Sequence, residues 1–414
     1  MKIPLQKVTL FVIFLIAISV KSFWGYGLFH RNALVTTITL MIPISLLCLI
    51  YSMKHPQINR VVFSLAFSLF SVILLSSSFN PRECLYYGFC ILMLFFADVN
   101  GFHKIPMWFY YAGIFFAIGS LINIFAVDVY CSLILPAFSG SPLYGNLLKW
   151  VNKNIYPGFT SQTAFNAGYL IYAIGYLYCN YSINKKIENR HKLFLFLLLV
   201  CLVLTNKRAH FLFLFVTMAI CSLVYETKKQ KVIQILKIVL SGIALLSAFY
   251  LLMQFVDIGV FQKFRLMLEV YDRNNDVSSG RFYLYLLAIK YFFQNPFIGV
   301  GWGGFSQLPE LAAKPIQTHD IYLQLLCETG ILGFIIFILF FAYSLFVSIK
   351  NCNGAKTSEQ ILSARFCFFV QSFFLLYGLT GNTLYDQPYF IVYFLICAFT
   401  FSLRKDIYNS NVTS

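Results

Sequence analysis

The feature that most constrains this sequence is its series of long apolar runs. Most approach the roughly 20 residues that an α-helix needs to cross the hydrocarbon core of a bilayer. Charged residues make up 11% of the 414-residue chain, whereas a soluble domain carries roughly 25% to cover its surface. The sequence therefore predicts an all-α polytopic membrane protein with about 12 transmembrane helices. The apolar runs span residues 8–29, 34–53, 61–79, 84–99, 106–126, 163–181, 193–206, 209–225, 232–255, 331–349, 361–379 and 388–403.

The basic residues between these runs predict an orientation. With the N-terminus in the cytoplasm, the inner loops and flanks carry 17 Lys and Arg and the short outer ones carry 7, the long loop 256–330 being left out. Basic loops stay in the cytoplasm, so we expect a bacterial inner-membrane protein with both termini cytoplasmic. The net charge of +16 has the same origin, because no basic stretch is long enough to bind nucleic acid.

Two of the outer segments are too long to be simple turns. Residues 127–162 contain Pro136, Pro142 and Pro157, and residues 256–330 form the largest polar segment of the chain. Within 256–330, apolar residues repeat at helical spacing around Phe261–Val270 and Phe282–Leu287, which predicts amphipathic helices on the outer membrane face. The chain thus divides into an N-terminal bundle of about nine helices (1–255), a large periplasmic loop (256–330), and C-terminal helices with a short cytoplasmic tail (331–414).

Three basic side chains are candidates for chemistry. Arg208 lies between two apolar runs with almost no loop, Arg281 begins a predicted amphipathic helix, and His319 precedes the run 331–349. Arginine offers a planar fork of donors suited to phosphate oxygens. A neutral imidazole can accept a proton from a sugar hydroxyl near neutral pH. Together they favour an anion site beside a general base at the membrane surface.

Each of these residues also has a structural interpretation. An arginine at a helix end commonly reaches the lipid headgroups, one on an amphipathic helix commonly faces solvent, and an interfacial histidine is more often structural. The glycine-rich stretch Gly299–Gly304 lacks the Gly-Lys-Ser/Thr ending of a phosphate-binding loop. It is better interpreted as a tight turn with close backbone approach.

Four short motifs follow one another in the second half of the chain. They are Gly280-Arg281, Pro296-Phe297-Ile298-Gly299-Val300-Gly301, His319-Asp320 and Glu328-Thr329-Gly330-Ile331-Leu332-Gly333. Their order resembles that of the O-antigen ligase and polymerase superfamily, whose pattern is roughly a Gly-Arg, a Pro-x-x-Gly-x-Gly turn, and a His-Asn followed by Glu-x-Gly-x-x-Gly. The stretch Thr205–Ala209 is similar to the superfamily's Ser-Arg motif, and the resemblance covers residues 205–333.

This resemblance implies a GT-C type membrane glycosyltransferase that works at the periplasmic face, with 256–330 as its catalytic loop. Its donor would be a glycan on undecaprenyl diphosphate, with no nucleotide sugar, metal or cofactor, and the transfer would invert the anomeric centre. By motif, Arg208 and Arg281 would bind the donor diphosphate, and His319 would be the catalytic base or orient the acceptor. The residues predicted to contribute to substrate binding are Lys207, Arg265, Trp302, Asp320, Tyr322 and Glu328.

Two positions depart from the superfamily pattern. Asp320 stands where Asn is usual, so that it either raises the basicity of His319 or marks a different local register. Lys207 replaces a small polar residue before the arginine.

The acceptor is left open between two reactions. A polymerase joins the glycan to another lipid-linked repeat unit, and a ligase joins it to lipid A core. The segments Gly158–Thr163 and Gly381–Tyr385 look like those of polysaccharide polymerases, so an O-antigen polymerase in lipopolysaccharide biosynthesis is favoured, with membrane lipids and a chain-length regulator as further partners. The alternative from another class is a lipid-linked oligosaccharide transporter, which would place ionisable residues near the bilayer midplane.

Overall fold

The structure, a computed structural model, describes residues 5–28, 60–75, 81–94, 102–139, 144–151, 155–186, 188–226, 228–255, 280–313 and 316–412. Every regular element in these ranges is helical, and they contain no β-strand. The main helices are α1 Leu5–Ser19, α2 Phe23–Leu28, α3 Arg60–Leu75, α4 Pro81–Met93, α5 Ile105–Phe125, α6 Val127–Phe138, α7 Tyr144–Val151, α8 Thr163–Asn184, α9 Asn189–Leu204, α10 Arg208–Tyr225, α11 Lys228–Phe255, α12 Arg281–Gln294, α13 Ile321–Gly354, α14 Ser358–Tyr377 and α15 Gln387–Val412.

The all-helical membrane class predicted from the apolar runs is confirmed in its coarse form. Among the described residues, four helices are long and apolar enough to cross a membrane, namely α5, α10, α13 and α14. The outer surface of α9 is apolar as well, since Leu193 and Phe196 are 66% and 67% exposed. Such side chains suit contact with lipid tails better than contact with water. The run 34–53 lies outside the described residues, and the count of 12 spans stays a prediction.

Two apolar runs differ in the structure from the predicted single spans. The run 8–29 forms two helices, α1 and α2, because Lys21 has a left-handed backbone (φ 65°) and Ser22 pairs with Thr160 in an isolated bridge. The predicted span 331–349 is part of α13, which begins ten residues earlier, and Gly330 (φ 61°, ψ −170°) interrupts its helical backbone. The predicted outer segment 127–162 contains the short helices α6 and α7.

Buried polar contacts hold the last three helices together. Gln371 of α14 accepts a hydrogen bond from Ser344 of α13 (2.8 Å) and donates one to Thr400 of α15 (2.7 Å). Asn351 of α13 donates to the Thr400 carbonyl at 2.8 Å. Hydrogen bonds between helices help to fix their packing where lipid supplies no hydrophobic driving force.

The helices run between two polar ends. At one end, His103 lies before α5 and contacts Ser363 of α14 (3.1 Å) and Asp406 of α15 (3.5 Å), while Lys185 and Glu226 join the ends of α8 and α10 (2.5 Å). The start of α10, the start of α13 and the loop 378–386 lie at the other end, which we call the site end. Lys104 and Lys185, which are predicted to share one side of the membrane, therefore lie at a common end of the bundle.

We predict that Gly330→Ala strongly destabilises the folded protein. A Cβ there would stand 2.3 Å from the backbone carbon and oxygen of Phe297, and the glycine-only backbone region adds roughly 1–3 kcal/mol of strain. Thermal unfolding in detergent, followed by tryptophan fluorescence, should show a clearly lower Tm. Gly145→Ala in α7 is the matched control, because nothing lies within 4 Å of its Cβ position. Equal Tm values for the two variants would contradict the account of the Gly330 break.

Candidate functional site

Helix α12 places Arg281 at the site end. The helix buries Leu284, Leu287 and Ala288 in a small core with residues of the following turns and α13. Its opposite face, which includes Phe282 and Tyr283, is exposed. This is the amphipathic pattern predicted for 282–287, whereas the predicted helix at 261–270 lies outside the described residues. As the first residue of α12, Arg281 is half-buried and donates from Nη1 to the Thr380 carbonyl at 3.2 Å.

His319 immediately precedes the N-cap of α13. Its backbone is left-handed (φ 62°), and its N–H donates to Oδ1 of Asn382 at 2.8 Å. Residues other than glycine rarely adopt this backbone conformation, so surrounding contacts must hold His319 in it. The next residue, Asp320, is the N-cap: its Oδ1 accepts the N–H groups of Tyr322 and Leu323, both at 2.9 Å. Asn382 therefore fixes the histidine backbone, and Asp320 starts the helix.

The loop 378–386 joins α14 to α15 and contacts both of these segments. The Gly378 carbonyl accepts the N–H of Ile321 (2.9 Å), the Thr380 carbonyl accepts Arg281, and Asn382 accepts His319. One short loop thus contacts the guanidinium of Arg281 and the backbone of His319, which lie 38 residues apart in the chain.

Four positively charged side chains gather at this end. Arg208 lies within electrostatic range of Arg281, and Lys207 within range of His319. Burial, followed by Arg281 and Lys207, lowers the pKa of His319 to about 4. The fourth, Lys21, acts with Lys207 on the carboxyl of Asp386, whose pKa is raised to about 7 by burial and held down in part by these two lysines. The site end is therefore cationic, with a neutral imidazole at pH 7.

The structure does not support the expectation that Asp320 raises the basicity of His319. The groups that shift the pKa of His319 are cations and burial, and both lower it. Burial also raises the pKa of Asp320 itself, against the two backbone N–H groups that it accepts. The departure from Asn at this position is explained by helix capping, because Asp and Asn both serve well as N-caps.

Three of the predicted substrate-binding residues make contacts inside the protein. Glu328 is 1% exposed and accepts the N–H groups of Gly303 and Phe305, each at 3.1 Å, and the hydroxyl of Tyr385. Trp302 is 2% exposed, stacked on Phe337 with ring centroids 5.5 Å apart. Tyr322 donates to the Leu375 carbonyl at 2.9 Å. These contacts support the glycine turn and α13, and a role in substrate binding stays a prediction.

Arg208 interacts electrostatically with Arg281, and His319 with Arg281 and Lys207. The predicted roles of these residues stay predictions, and Arg265 lies outside the described residues. Sequence reasoning did not single out Lys21, Asn382 or Asp386. The signals for them were present: Lys21 interrupts the first apolar run, and Asn382 belongs to a stretch already noted as polymerase-like. Asp386 follows that stretch directly.

The chain has sequence relatives that agree with this site. Residues 193–338 match the family described as "O-Antigen ligase". Over 237 residues, or 55% of this chain, the sequence is 28% identical to the "ComP-specific O-oligosaccharyltransferase" of Acinetobacter baylyi, and the match spans 39% of that relative. Fold and site define a helical multi-pass membrane protein with a cationic site at one end. Within that class, the chain is similar to the O-antigen ligase family over residues 193–338.

We predict that His319 titrates near pH 4 in the free protein and at higher pH once a diphosphate is bound. The anion offsets the charges of Arg281 and Lys207, which both lower the pKa, so binding favours the protonated imidazole. The measurement is NMR of histidine-labelled protein in detergent, with the His319 signal assigned by its loss in His319→Gln. Sodium chloride at matched ionic strength is the control. A pKa near 6.5 that diphosphate does not move would contradict this picture of the site.

Proposed function

We propose that the protein is an O-antigen, or surface polysaccharide, polymerase that joins repeat units linked to undecaprenyl diphosphate at the periplasmic face of the inner membrane. The observation that carries the proposal is the placing of two guanidinium groups and a neutral imidazole at one end of the bundle. Guanidinium groups suit the diphosphate oxygens, and the imidazole can take up a proton. The site end would then face the periplasm, in agreement with the excess of basic residues at the other end.

In the proposed reaction, a hydroxyl of the acceptor glycan attacks the anomeric carbon of the donor. His319 accepts the hydroxyl proton as the new C–O bond forms on the face opposite the diphosphate. The bond between the anomeric carbon and the diphosphate oxygen breaks, and undecaprenyl diphosphate leaves with the electron pair. Arg208 and Arg281 stabilise the negative charge that develops on the leaving oxygen, and electrostatic stabilisation of this kind usually lowers an enzymatic barrier more than any other single effect. The anomeric configuration inverts.

The choice of polymerase over ligase rests on two segments near the site. Gly381–Tyr385 includes Asn382, which holds His319. Gly158–Thr163 is bonded to the Lys21 segment, because Ser161 N–H donates to the Lys21 carbonyl at 2.8 Å. Their likeness to polysaccharide polymerase segments supports a glycan acceptor. The alternative acceptor is lipid A core, as in a ligase, and the relative specific for ComP indicates that acceptors differ within the superfamily.

A transporter is less well supported. It would need ionisable side chains facing a cavity at mid-membrane. Among the described residues, Arg365 of α14 is engaged by protein groups: it donates to Ser182 Oγ at 2.5 Å and to the Tyr225 carbonyl at 3.3 Å. Tyr225 is the last residue of α10, at the end away from the site.

We predict that Arg281→Ala and His319→Ala each abolish long-chain polysaccharide while the protein stays inserted and abundant. Loss of a general base or of leaving-group stabilisation costs roughly 10²–10⁴-fold in rate. The readout is the chain-length ladder on a gel, with membrane levels checked by immunoblot. Arg190→Ala and His191→Ala are matched controls near the opposite end, where Arg190 pairs with exposed Glu188. Normal ladders in both site variants would defeat the enzyme proposal.

Deletion of the gene separates the acceptors. For a polymerase we expect lipid A core that carries a single repeat unit, because ligation still proceeds without chain growth. Bare core with polymer accumulating on the lipid carrier would identify a ligase instead. Gel analysis of the lipopolysaccharide and of the extracted carrier lipid distinguishes the two. An unchanged lipopolysaccharide would contradict both reactions.

A further inference from the structure

The site end contains a second polar cluster beyond the two arginines. It consists of Lys21, Ser161, Thr383 and Asp386, and we call it the Lys21–Asp386 cluster. Two backbone bonds join its first members: Ser161 N–H donates to the Lys21 carbonyl (2.8 Å) and Phe23 N–H to the Phe159 carbonyl (2.9 Å). Lys21 acts electrostatically on the Asp386 carboxyl, as does Lys207.

A buried tyrosine keeps the two sides of this cluster together. Tyr389, one turn into α15 from Asp386, donates its hydroxyl to the Ala164 carbonyl at the start of α8 and lies 2.5 Å from Nε2 of His210. Its ring occupies the space beside Gly168, where a Cβ would lie 2.7 Å from it. The segment after Gly158 and the loop 378–386 are thus held side by side, although more than 200 residues separate them.

The cluster carries hydroxyl groups that the protein leaves without partners. Ser161 and Thr383 are both 0% exposed, and among the described residues neither hydroxyl has a hydrogen-bond partner. Thr380 Oγ1 in the same loop also has no hydrogen-bond partner among the described residues. Buried hydroxyl groups are nearly always hydrogen-bonded, and leaving one unpaired costs about 1–3 kcal/mol. A ligand rich in hydroxyl groups would satisfy both these groups once neighbouring side chains move aside to expose them, and it would also hydrogen-bond to the Asp386 carboxyl.

The Lys21–Asp386 cluster differs in charge from the pair of arginines, because it contains a carboxyl group. Arg208 and Arg281 are near each other, and Lys207 is within range of both His319 and Asp386. The Asp386 carboxyl, whose pKa burial raises to about 7, accepts hydrogen bonds from sugar hydroxyls and can donate one when it is protonated. When it is ionised, it repels a diphosphate. An inverting displacement also requires the acceptor to approach opposite the leaving group. The cluster that contains Asp386 is therefore the suitable place for an uncharged, hydroxyl-rich acceptor.

We propose that the Lys21–Asp386 cluster is the binding subsite for the acceptor glycan, with Lys21, Asp386, Ser161 and Thr383 hydrogen-bonded to its sugar hydroxyls. This inference rests on the proposed function, because it assigns a place to one of the two substrates of that reaction. Lys207 acts electrostatically on both Asp386 and His319, so an acceptor hydroxyl bound at this subsite would lie near the base.

The test uses full-length protein in nanodiscs, with undecaprenyl-diphosphate-linked glycan from the native cells as donor. The acceptor is a diphosphate-free repeat unit with a fluorescent tag at its reducing end. We expect Lys21→Ala and the isosteric Thr383→Val to raise the KM for the tagged acceptor about tenfold, the equivalent of about 1.4 kcal/mol. The Kd for undecaprenyl diphosphate should change less than twofold. Because Thr383→Val keeps the side-chain volume, a higher KM in this variant is not explained by misfolding.

Lys185→Ala is the matched control, since Lys185 has the same left-handed backbone as Lys21 but pairs with Glu226 at the opposite end. An unchanged acceptor KM in folded Lys21→Ala and Thr383→Val would overturn the subsite, as would a donor Kd that rises as much as the acceptor KM. Anisotropy of the tagged glycan with His319→Ala protein measures acceptor binding without turnover. If the tagged glycan binds in a Lys21-dependent manner but the wild-type protein transfers no glycan to it, the proposed function is contradicted and the subsite is not.

Discussion

The hydrogen bonds of the loop 378–386 are the interactions on which the rest of the site depends. Three of its residues engage three separate segments: Thr380 holds Arg281, Asn382 holds His319, and Tyr385 donates to Glu328. Without the acceptor from Asn382, the left-handed backbone of His319 would lose its support. The family match ends at residue 338, so the loop that organises the matched residues lies outside the matched segment.

Basic residues at the two ends of the bundle lie in different surroundings. At the end away from the site, Lys185 and Arg190 pair with carboxylates at 2.5 and 2.6 Å. At the site end, Arg208 lies in the field of Arg281, and His319 in that of Arg281 and Lys207. Cations held near each other and partly buried repel, and a bound anion relieves that cost. The carboxyl of Asp386 lies near Lys207 and Lys21 at this end, and the repulsion between the arginines supports the proposed diphosphate site.

Much of the fold followed from local patterns. Apolar runs marked the helices because a chain in lipid must satisfy its backbone groups within each helix. The pattern missed the break at Lys21–Ser22, where pairing with Thr160 ends the helix, and the early start of α13, where Asp320 caps it. Both features depend on hydrogen bonds and not on hydrophobicity.

The sequence by itself determined the membrane class, the segregation of basic residues, and the candidates Arg208, Arg281 and His319, because hydropathy and residue chemistry are local properties. Only the tertiary structure decided that Glu328 and Trp302 lie inside the protein and that Lys21, Asn382 and Asp386 stand at the site. Such neighbours come from segments far apart in the chain. Their proximity is set by helix packing, as at Gly168 and Tyr389, which no single segment encodes.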